Sequence, residues 1–213
     1  MNRVIIAIDG PAGAGKSTVG RALAARLGVG YLDTGAMYRA VAFASLRRGV
    51  DPHDRDAVAT MVPEVMIEID DRQVIVDGHD ATEIIRGPEV TSVVSQIAAN
   101  PAVREVLVDR QREWVAQRGG AVVEGRDIGT VVFPDADLKV YVTASARVRA
   151  VRRVAEQGGD INEIEASIMA RDRHDSTRSH SPLAEADDSV VVDTTEMTID
   201  EVVDHLIELT ERS

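Results

Sequence analysis

A chain of 213 residues with 24 basic and 36 acidic side chains, net charge -12, is long enough to bury one sizeable core and a small accessory lobe. The acidic balance argues against a nucleic-acid partner held on a basic face, and the absence of cysteine excludes disulfide stapling. The chain enters its first apolar run without a signal-peptide pattern, and no apolar stretch approaches the ~20 residues of a transmembrane span, so we expect a cytoplasmic globular protein with no membrane partner.

The first run, Val4 to Asp9, reads as a buried strand, and a helical pattern runs through Val19 to Leu27. Between them lies Gly10-Pro11-Ala12-Gly13-Ala14-Gly15-Lys16-Ser17, with Thr18 behind it. Strand, glycine-rich turn and helix start are the context in which G-x-x-x-x-G-K-[ST] binds phosphate. The glycines let successive N–H groups turn inward as an anion nest, and the helix aims its positive end at the same point. Lys16 then reaches the terminal phosphates of a nucleotide, and Ser17 ligates Mg²⁺. Lys16 also stands out in composition, because only it and Lys139 are lysines among the basic residues.

Tyr31 to Asp33 reads as a second strand, followed by a helix to about Arg48 with Thr34 as its N-cap. Tyr38 and Arg39 then lie just past the carboxyl end of a strand, where open α/β sheets bind ligands. Arg55 to Met61 is a short helix. Val65 to Ile69 and Gln73 to Val76, with Asp70 to Arg72 between them and Asp77-Gly78 after them, form an antiparallel β insertion in an accessory lobe running to Ile85. Two helices follow, from Pro88 to Ala99 and from Pro101 to about Gln117; Arg104 lies in the first turn of the second.

Ala121 to Glu124 is a short apolar run of the kind buried on both faces, and Glu124 at its tip stands where phosphate-loop proteins keep a metal-organising carboxylate. Arg126 and Asp127 follow in a turn; they form either a salt bridge or, with donors and acceptors side by side, a reader of a base edge, and the turn suits the second role better. Leu138 to Val142 is the next strand, and Ser145 caps a helix bearing Arg147, Arg149, Arg152 and Arg153. After Gly158-Gly159 another helix, Ile161 to about Asp175, ends in Arg171-Asp172-Arg173-His174-Asp175-Ser176-Thr177-Arg178. Two arginine-dense segments around a glycine break suit a lid over phosphates. His174 and His180 have no metal-ligand spacing. Ser189 to Asp193 is the last strand and Ile199 to Glu211 the last helix. Short apolar strands alternating with helices predict an α/β fold, a parallel sheet covered on both faces.

The phosphate loop, Leu32-Asp33-Thr34-Gly35-Ala36-Met37-Tyr38-Arg39, Gly125-Arg126-Asp127-Ile128-Gly129-Thr130-Val131-Val132-Phe133-Pro134 and Arg171-Asp172-Arg173-His174-Asp175 resemble bacterial cytidylate kinases over nearly the whole chain. The resemblance implies a three-layer α/β/α P-loop kinase with five parallel strands, a monophosphate-binding lobe carrying the β insertion, and a short arginine-rich lid. Its parts would be a core of about 1–34, 119–150 and 186–213, a lobe of about 35–118 and a lid of about 151–185. It implies ATP-dependent phosphorylation of CMP and dCMP with Mg²⁺; nothing in the sequence demands more than a monomer. Carried over by position, Gly10, Pro11, Ala12, Gly13, Ala14, Gly15, Lys16, Ser17 and Thr18 would hold ATP, with Arg149, Arg153 and Arg171 approaching its phosphates. Thr34, Tyr38, Arg39, Ser95, Arg104, Arg126, Asp127, Asp175 and Arg178 would hold the acceptor. Lys16, Arg39, Arg104 and Arg178 would carry the transfer, and Asp33 or Glu124 would join Ser17 at Mg²⁺ through water. Glu124 and Thr34 depart from the family's common Asp and Ser but keep the functional group. Two other readings are an alternative small-molecule P-loop kinase and a nucleotide switch; against the switch, no [NT]-K-x-D guanine-reading segment is present.

Overall fold

Strand β1 (Ile5–Asp9) is shielded on both faces, with Ile6, Ala7 and Ile8 at 0% exposure, which is why it reads as a continuous apolar run. The structure, a computed structural model, describes residues 4–176 and 183–212; Arg178 and His180 lie outside the described residues. After β1 the chain forms α1 (Lys16–Leu27), β2 (Gly30–Asp33), α2 (Thr34–Arg47), α3 (Arg55–Met61), β3 (Ile67–Ile69), β4 (Val74–Val76), β5 (His79–Asp80), α4 (Pro88–Ala98) and α5 (Pro101–Arg118). It continues through β6 (Ala121–Glu124), β7 (Leu138–Thr143), α6 (Ala146–Gln157), α7 (Ile161–Ser176), β8 (Val190–Asp193) and α8 (Ile199–Arg212). The larger sheet has five parallel strands in the order β2-β6-β1-β7-β8. The chain divides into two compact units, one comprising the residues up to Gly30 and from Gly119 onward, the other Tyr31–Arg118.

In the first unit β1 pairs with β6 and β7 in parallel register, Ile8 opposite both Glu124 and Val140, and β7 pairs with β8. Helices α1 and α8 pack on each other, and α1 also packs on β6. Leu23 and Leu206 are fully buried, each contributing about 1.5–3 kcal/mol. Helix α6 packs on α7, and Ser145 caps α6 by accepting from the Val148 N–H at 3.3 Å, as its position predicts.

In the second unit α2 packs on α4 and α5 around Val41, Ile85, Ile97 and Leu107, all at 0% exposure. The β insertion forms an antiparallel sheet, β3-β4-β5. Asp77-Gly78 makes the β4–β5 hairpin turn with both residues left-handed (φ 50° and 76°). The third strand went unread in the sequence because two residues carry no alternation. Trp114 Nε1 on α5 donates to the Ile69 carbonyl at 3.1 Å, holding that helix to β3.

Two local expectations are corrected. Helix α2 is capped by Asp33, whose Oδ1 accepts from the Ala36 N–H at 2.9 Å, so Thr34 is its first residue, not its cap. An N-cap must have extended backbone, and Asp33, ending a strand, already has it (φ -85°, ψ 95°). The segment after Asp127 is not a plain turn: Ile128–Val132 forms one π-helical turn, with the Phe133 N–H donating to the Ile128 carbonyl at 2.7 Å.

Gly10 is fixed by the fold. At φ 143°, a Cβ there would lie 2.0 Å from the carbonyl oxygen of Val142 on β7. The loop leaves β1 against a neighbouring strand's backbone, which cannot yield as a side chain would. Gly10→Ala should therefore cost more than about 3 kcal/mol, whereas Gly28→Ala, left-handed with nothing within 4 Å, should cost ~1 kcal/mol. Urea unfolding of both variants measures this; equal losses would contradict it.

Candidate active site

Helix α1 starts at Lys16 behind Gly15 in the left-handed conformation (φ 90°) and has no side-chain cap, so its first N–H groups face the loop. Gly13 is also left-handed (φ 78°). Lys16 is 7% exposed and donates from Nζ to the Pro11 carbonyl at 2.8 Å. Arg149 lays its stem on the loop, 3.4 Å from where a Gly13 Cβ would be, and Nη1 donates to the Ala12 carbonyl at 3.1 Å. Thr194, at the end of β8, reaches the Ala14 and Thr143 carbonyls with its hydroxyl, at 3.2 and 3.1 Å, and receives Arg152 Nη1 at 3.1 Å.

Ser17 Oγ donates to Glu124 Oε1 at 2.7 Å. Strand β6 thus delivers its terminal carboxylate to the residue the motif assigns to a cation. Asp33 lies in the second unit, where Oδ1 caps α2 and Oδ2 accepts from Arg86 at 3.1 Å. Of the two carboxylates expected near a metal, Glu124 is the one the structure places on Ser17.

Arg126 and Asp127 follow directly on β6. Asp127 is 5% exposed, and Arg126 Nη1 donates to the Gly125 carbonyl at 3.2 Å. Their turn is tied to β1, because Asp9 Oδ1 accepts from the Ile128 N–H at 2.8 Å and Oδ2 from the Gly129 N–H at 2.7 Å. Burial raises the Asp9 carboxyl from 3.8 to about 6; the Gly129 and Ile128 bonds and Lys16 oppose this, and Asp127 adds to it.

Arg149 is 5% exposed and bidentate on Asp172 of α7, at 3.1 and 2.6 Å, while its Nε donates to the Ala144 carbonyl at 2.9 Å. Arg153 is half-buried on α6; Arg171 is half-buried on α7, the helix that also holds Asp175.

Two of the expected acceptor arginines, Arg39 and Arg104, lie in the second unit. Arg104 is 9% exposed and lies over the Tyr38 ring, 5.8 Å from its centre. Arg39 Nη1 donates to the Ile85 carbonyl at 2.9 Å and to Thr91 Oγ1 at 2.8 Å. Ser95 lies one turn beyond Thr91 on the same face of α4, and Thr34 is 3% exposed at the start of α2. Sequence reasoning missed Asp9, Asp172, Thr194 and Thr91. A signal existed for Asp9, a carboxylate ending an otherwise apolar strand, and for Asp172, which lies inside the Arg171–Asp175 motif; Thr91 and Thr194 stand in ordinary polar stretches.

A family model described as cytidylate kinase matches residues 6–212. The cytidylate kinase of Rhodococcus opacus is 52% identical, with 96% of this chain and 93% of that protein covered. The cytidylate kinase of Corynebacterium efficiens is 51% identical over 99% of this chain and 95% of its own length. Among solved structures, shikimate kinase from Bacteroides thetaiotaomicron superposes with a TM-score of 0.51 at 16% identity, covering 98% of both chains, a likeness of fold alone.

Asp9 makes stability depend on pH. With its folded value raised from 3.8 to about 6, its favourable contribution is complete below pH 3.8 and is lost as pH rises through 6, about 3 kcal/mol in all. Urea unfolding of wild type and Asp9→Asn from pH 4 to 7 should show wild type losing about that much relative to the variant. A difference constant with pH would contradict it.

Proposed function

The chain belongs to the cytidylate kinase family, and from that membership we propose how its own residues transfer a phosphoryl group from ATP to CMP. The observation that carries the reading is that the phosphate-loop motif and Arg126-Asp127 leave neighbouring parallel strands, β1 and β6, and that the carboxylate of Asp9 bonds the backbone just after Asp127. The enzyme is a phosphotransferase whose acceptor is itself a phosphate.

The acceptor oxygen of a phosphate monoester is largely ionised at neutral pH, its second pKa being ~6, so no general base is needed. Catalysis is positioning and charge stabilisation. The amides of the loop and the start of α1 receive the ATP phosphates, and Lys16 swings from the Pro11 carbonyl onto them. Arg39 and Arg104 grip the CMP phosphate, with Thr34, Tyr38 and Ser95 lining the nucleotide. Asp127 accepts from the cytosine amino group and Arg126 donates to the ring acceptors, the edge logic by which carboxylates recognise cytosine. Asp175 and Arg178 complete the acceptor grip, with Arg178 also offsetting charge on the transferring group, as Arg153 and Arg171 do.

The hydroxyl–carboxylate pair Ser17–Glu124 is a hard-oxygen donor set of the kind that suits Mg²⁺. These two residues would hold the ion, directly and through water, and bound Mg²⁺ neutralises phosphate charge. Arg149, engaged by Asp172 and the Ala12 carbonyl, is better suited to shaping the loop and holding α7 against it than to a sole role on phosphate. We assign dCMP as a second acceptor and the cytoplasmic monomer as the working form; no described helix is long and apolar enough to cross a membrane.

Lys16→Ala should lower kcat by at least ~10³-fold with unchanged circular dichroism, because an electrostatic contact to the moving group is lost. Activity near wild type would remove that role. Asp127→Ala should lower kcat/KM for CMP by ~10²-fold and erase the preference for CMP over UMP. A coupled assay over CMP, dCMP, UMP and AMP measures both effects; intact CMP/UMP discrimination in Asp127→Ala would overturn the base-reading role.

A further inference from the structure

Asp9 is a buried charge to which the reaction above gives no task. Resting on the reading of Asp127 as the cytosine acceptor, we propose that Asp9 is the positioning residue for base recognition: its two carboxylate oxygens hold the backbone that follows Asp127 and so fix where the Asp127 carboxylate points.

Both oxygens of Asp9 are used, on the N–H groups of Ile128 and Gly129, 119 and 120 residues away in sequence. At 2.8 and 2.7 Å these are short, charge-assisted bonds. They fall on the first two residues of the π-helical turn Ile128–Val132, whose leading N–H groups have no partner within the turn. The far side of that turn closes back on Asp127, whose carbonyl accepts from Val131 and Val132 at 2.9 and 3.2 Å. Asp127 is therefore held on its carbonyl by the turn, and the turn is held at its entry by Asp9. Asp9 itself cannot drift, because it ends β1 in register with Tyr141 of β7. A base-reading carboxylate displaced by ~1 Å loses on the order of 10²-fold in productive binding, so such a brace is worth having.

The chemistry calls for a carboxylate. Asparagine would match one N–H with its oxygen and confront the other with its own NH₂; serine would serve one donor at most. The competing role is local: Asp9 precedes Gly10, and if it only shaped the phosphate loop, ATP binding would suffer along with CMP binding.

The test uses the full-length enzyme and four proteins, wild type, Asp9→Asn, Asp127→Ala and the double variant, with kcat and KM for ATP, CMP and UMP. For Asp9→Asn we expect KM for CMP to rise about 10-fold or more with KM for ATP within about twofold, and the CMP/UMP ratio of kcat/KM to fall about 10-fold. The double variant should discriminate no worse than Asp127→Ala, because Asp9 acts only through Asp127. Equal rises in both KM values, unchanged discrimination in Asp9→Asn, or additive losses in the double variant would each overturn the proposal. Discrimination unaltered in Asp127→Ala would instead remove the base-reading assignment and the proposal with it; altered there but intact in Asp9→Asn, it removes the proposal alone. Should Asp9→Asn not fold, Asp9→Ser takes its place in the same measurements, and the same outcomes support or overturn the proposal.

Discussion

A carboxylate shielded from water beside a second carboxylate is an expensive thing to fold, and Asp9 is such a group. Its charged form at neutral pH costs about 3 kcal/mol against the neutral one, a sizeable share of the 5–15 kcal/mol that typically separates folded from unfolded protein. Two backbone N–H bonds and the Lys16 ammonium offset part of the burial. A strand end could be closed more cheaply by an apolar residue. A charge kept where it weakens the fold is the pattern expected of a functional site, because selection tolerates lost stability in return for placement of reacting or recognising groups. What Asp9 holds is the junction of two strand ends, one opening into the phosphate loop and the other into Arg126-Asp127.

The phosphate loop is built by the same means, through contacts to its outer side. The carbonyls of Ala12 and Ala14 are taken by Arg149 and Thr194. In a trans peptide the C=O and the next N–H point in opposite directions, so anchoring those two carbonyls turns the Gly13 and Gly15 amides the other way. The left-handed conformations of these glycines allow that turn at no steric cost. The nest is thus imposed from outside: the residue after β8 supplies the Thr194 hydroxyl, α6 supplies Arg149, and Asp172 on α7 neutralises the buried guanidinium. Loss of Asp172 would leave a nearly buried cation against the loop, a costlier outcome than loss of the pair.

The sequence made these elements readable wherever periodicity or a motif carried them. Each of the five parallel strands reads as a short apolar run, and the helices keep their amphipathic spacing within two or three residues at the ends. What escaped was set by tertiary contact. Asp33 and Thr34 are both good caps by type, and only the strand geometry reaching through Asp33 decides between them. The π-helical turn has no local signature, and its entry is held by Asp9, 119 residues earlier in the chain. Arg149 looked like one of several lid arginines, and its burial against Ala12 depends on a carbonyl that side-chain patterns do not display. Motif residues were legible because their chemistry is local. Their supports were not, because each bond joins distant positions.

The arginines proposed to hold the acceptor show the same division. An arginine fixed in one rotamer gives up ~2 kcal/mol of side-chain entropy. Arg39 meets that loss during folding, with Nη1 held by the Ile85 carbonyl and Thr91, so in the role proposed for it the loss would not recur on binding a phosphate. Arg104, stacked on Tyr38, is similarly restricted before any ligand binds. These supports belong to the packing of α2, α4 and the turn at Ile84–Arg86, all within Tyr31–Arg118. The support of Asp127 belongs to β1 and β6 in the other unit. The contacts that hold Arg39 lie within Tyr31–Arg118, and those that hold the backbone after Asp127 lie within the unit of β1 and β6. Partners in direct contact, such as Arg39 and Thr91, should therefore show non-additive losses when both are substituted, because each single substitution already breaks the bond they share.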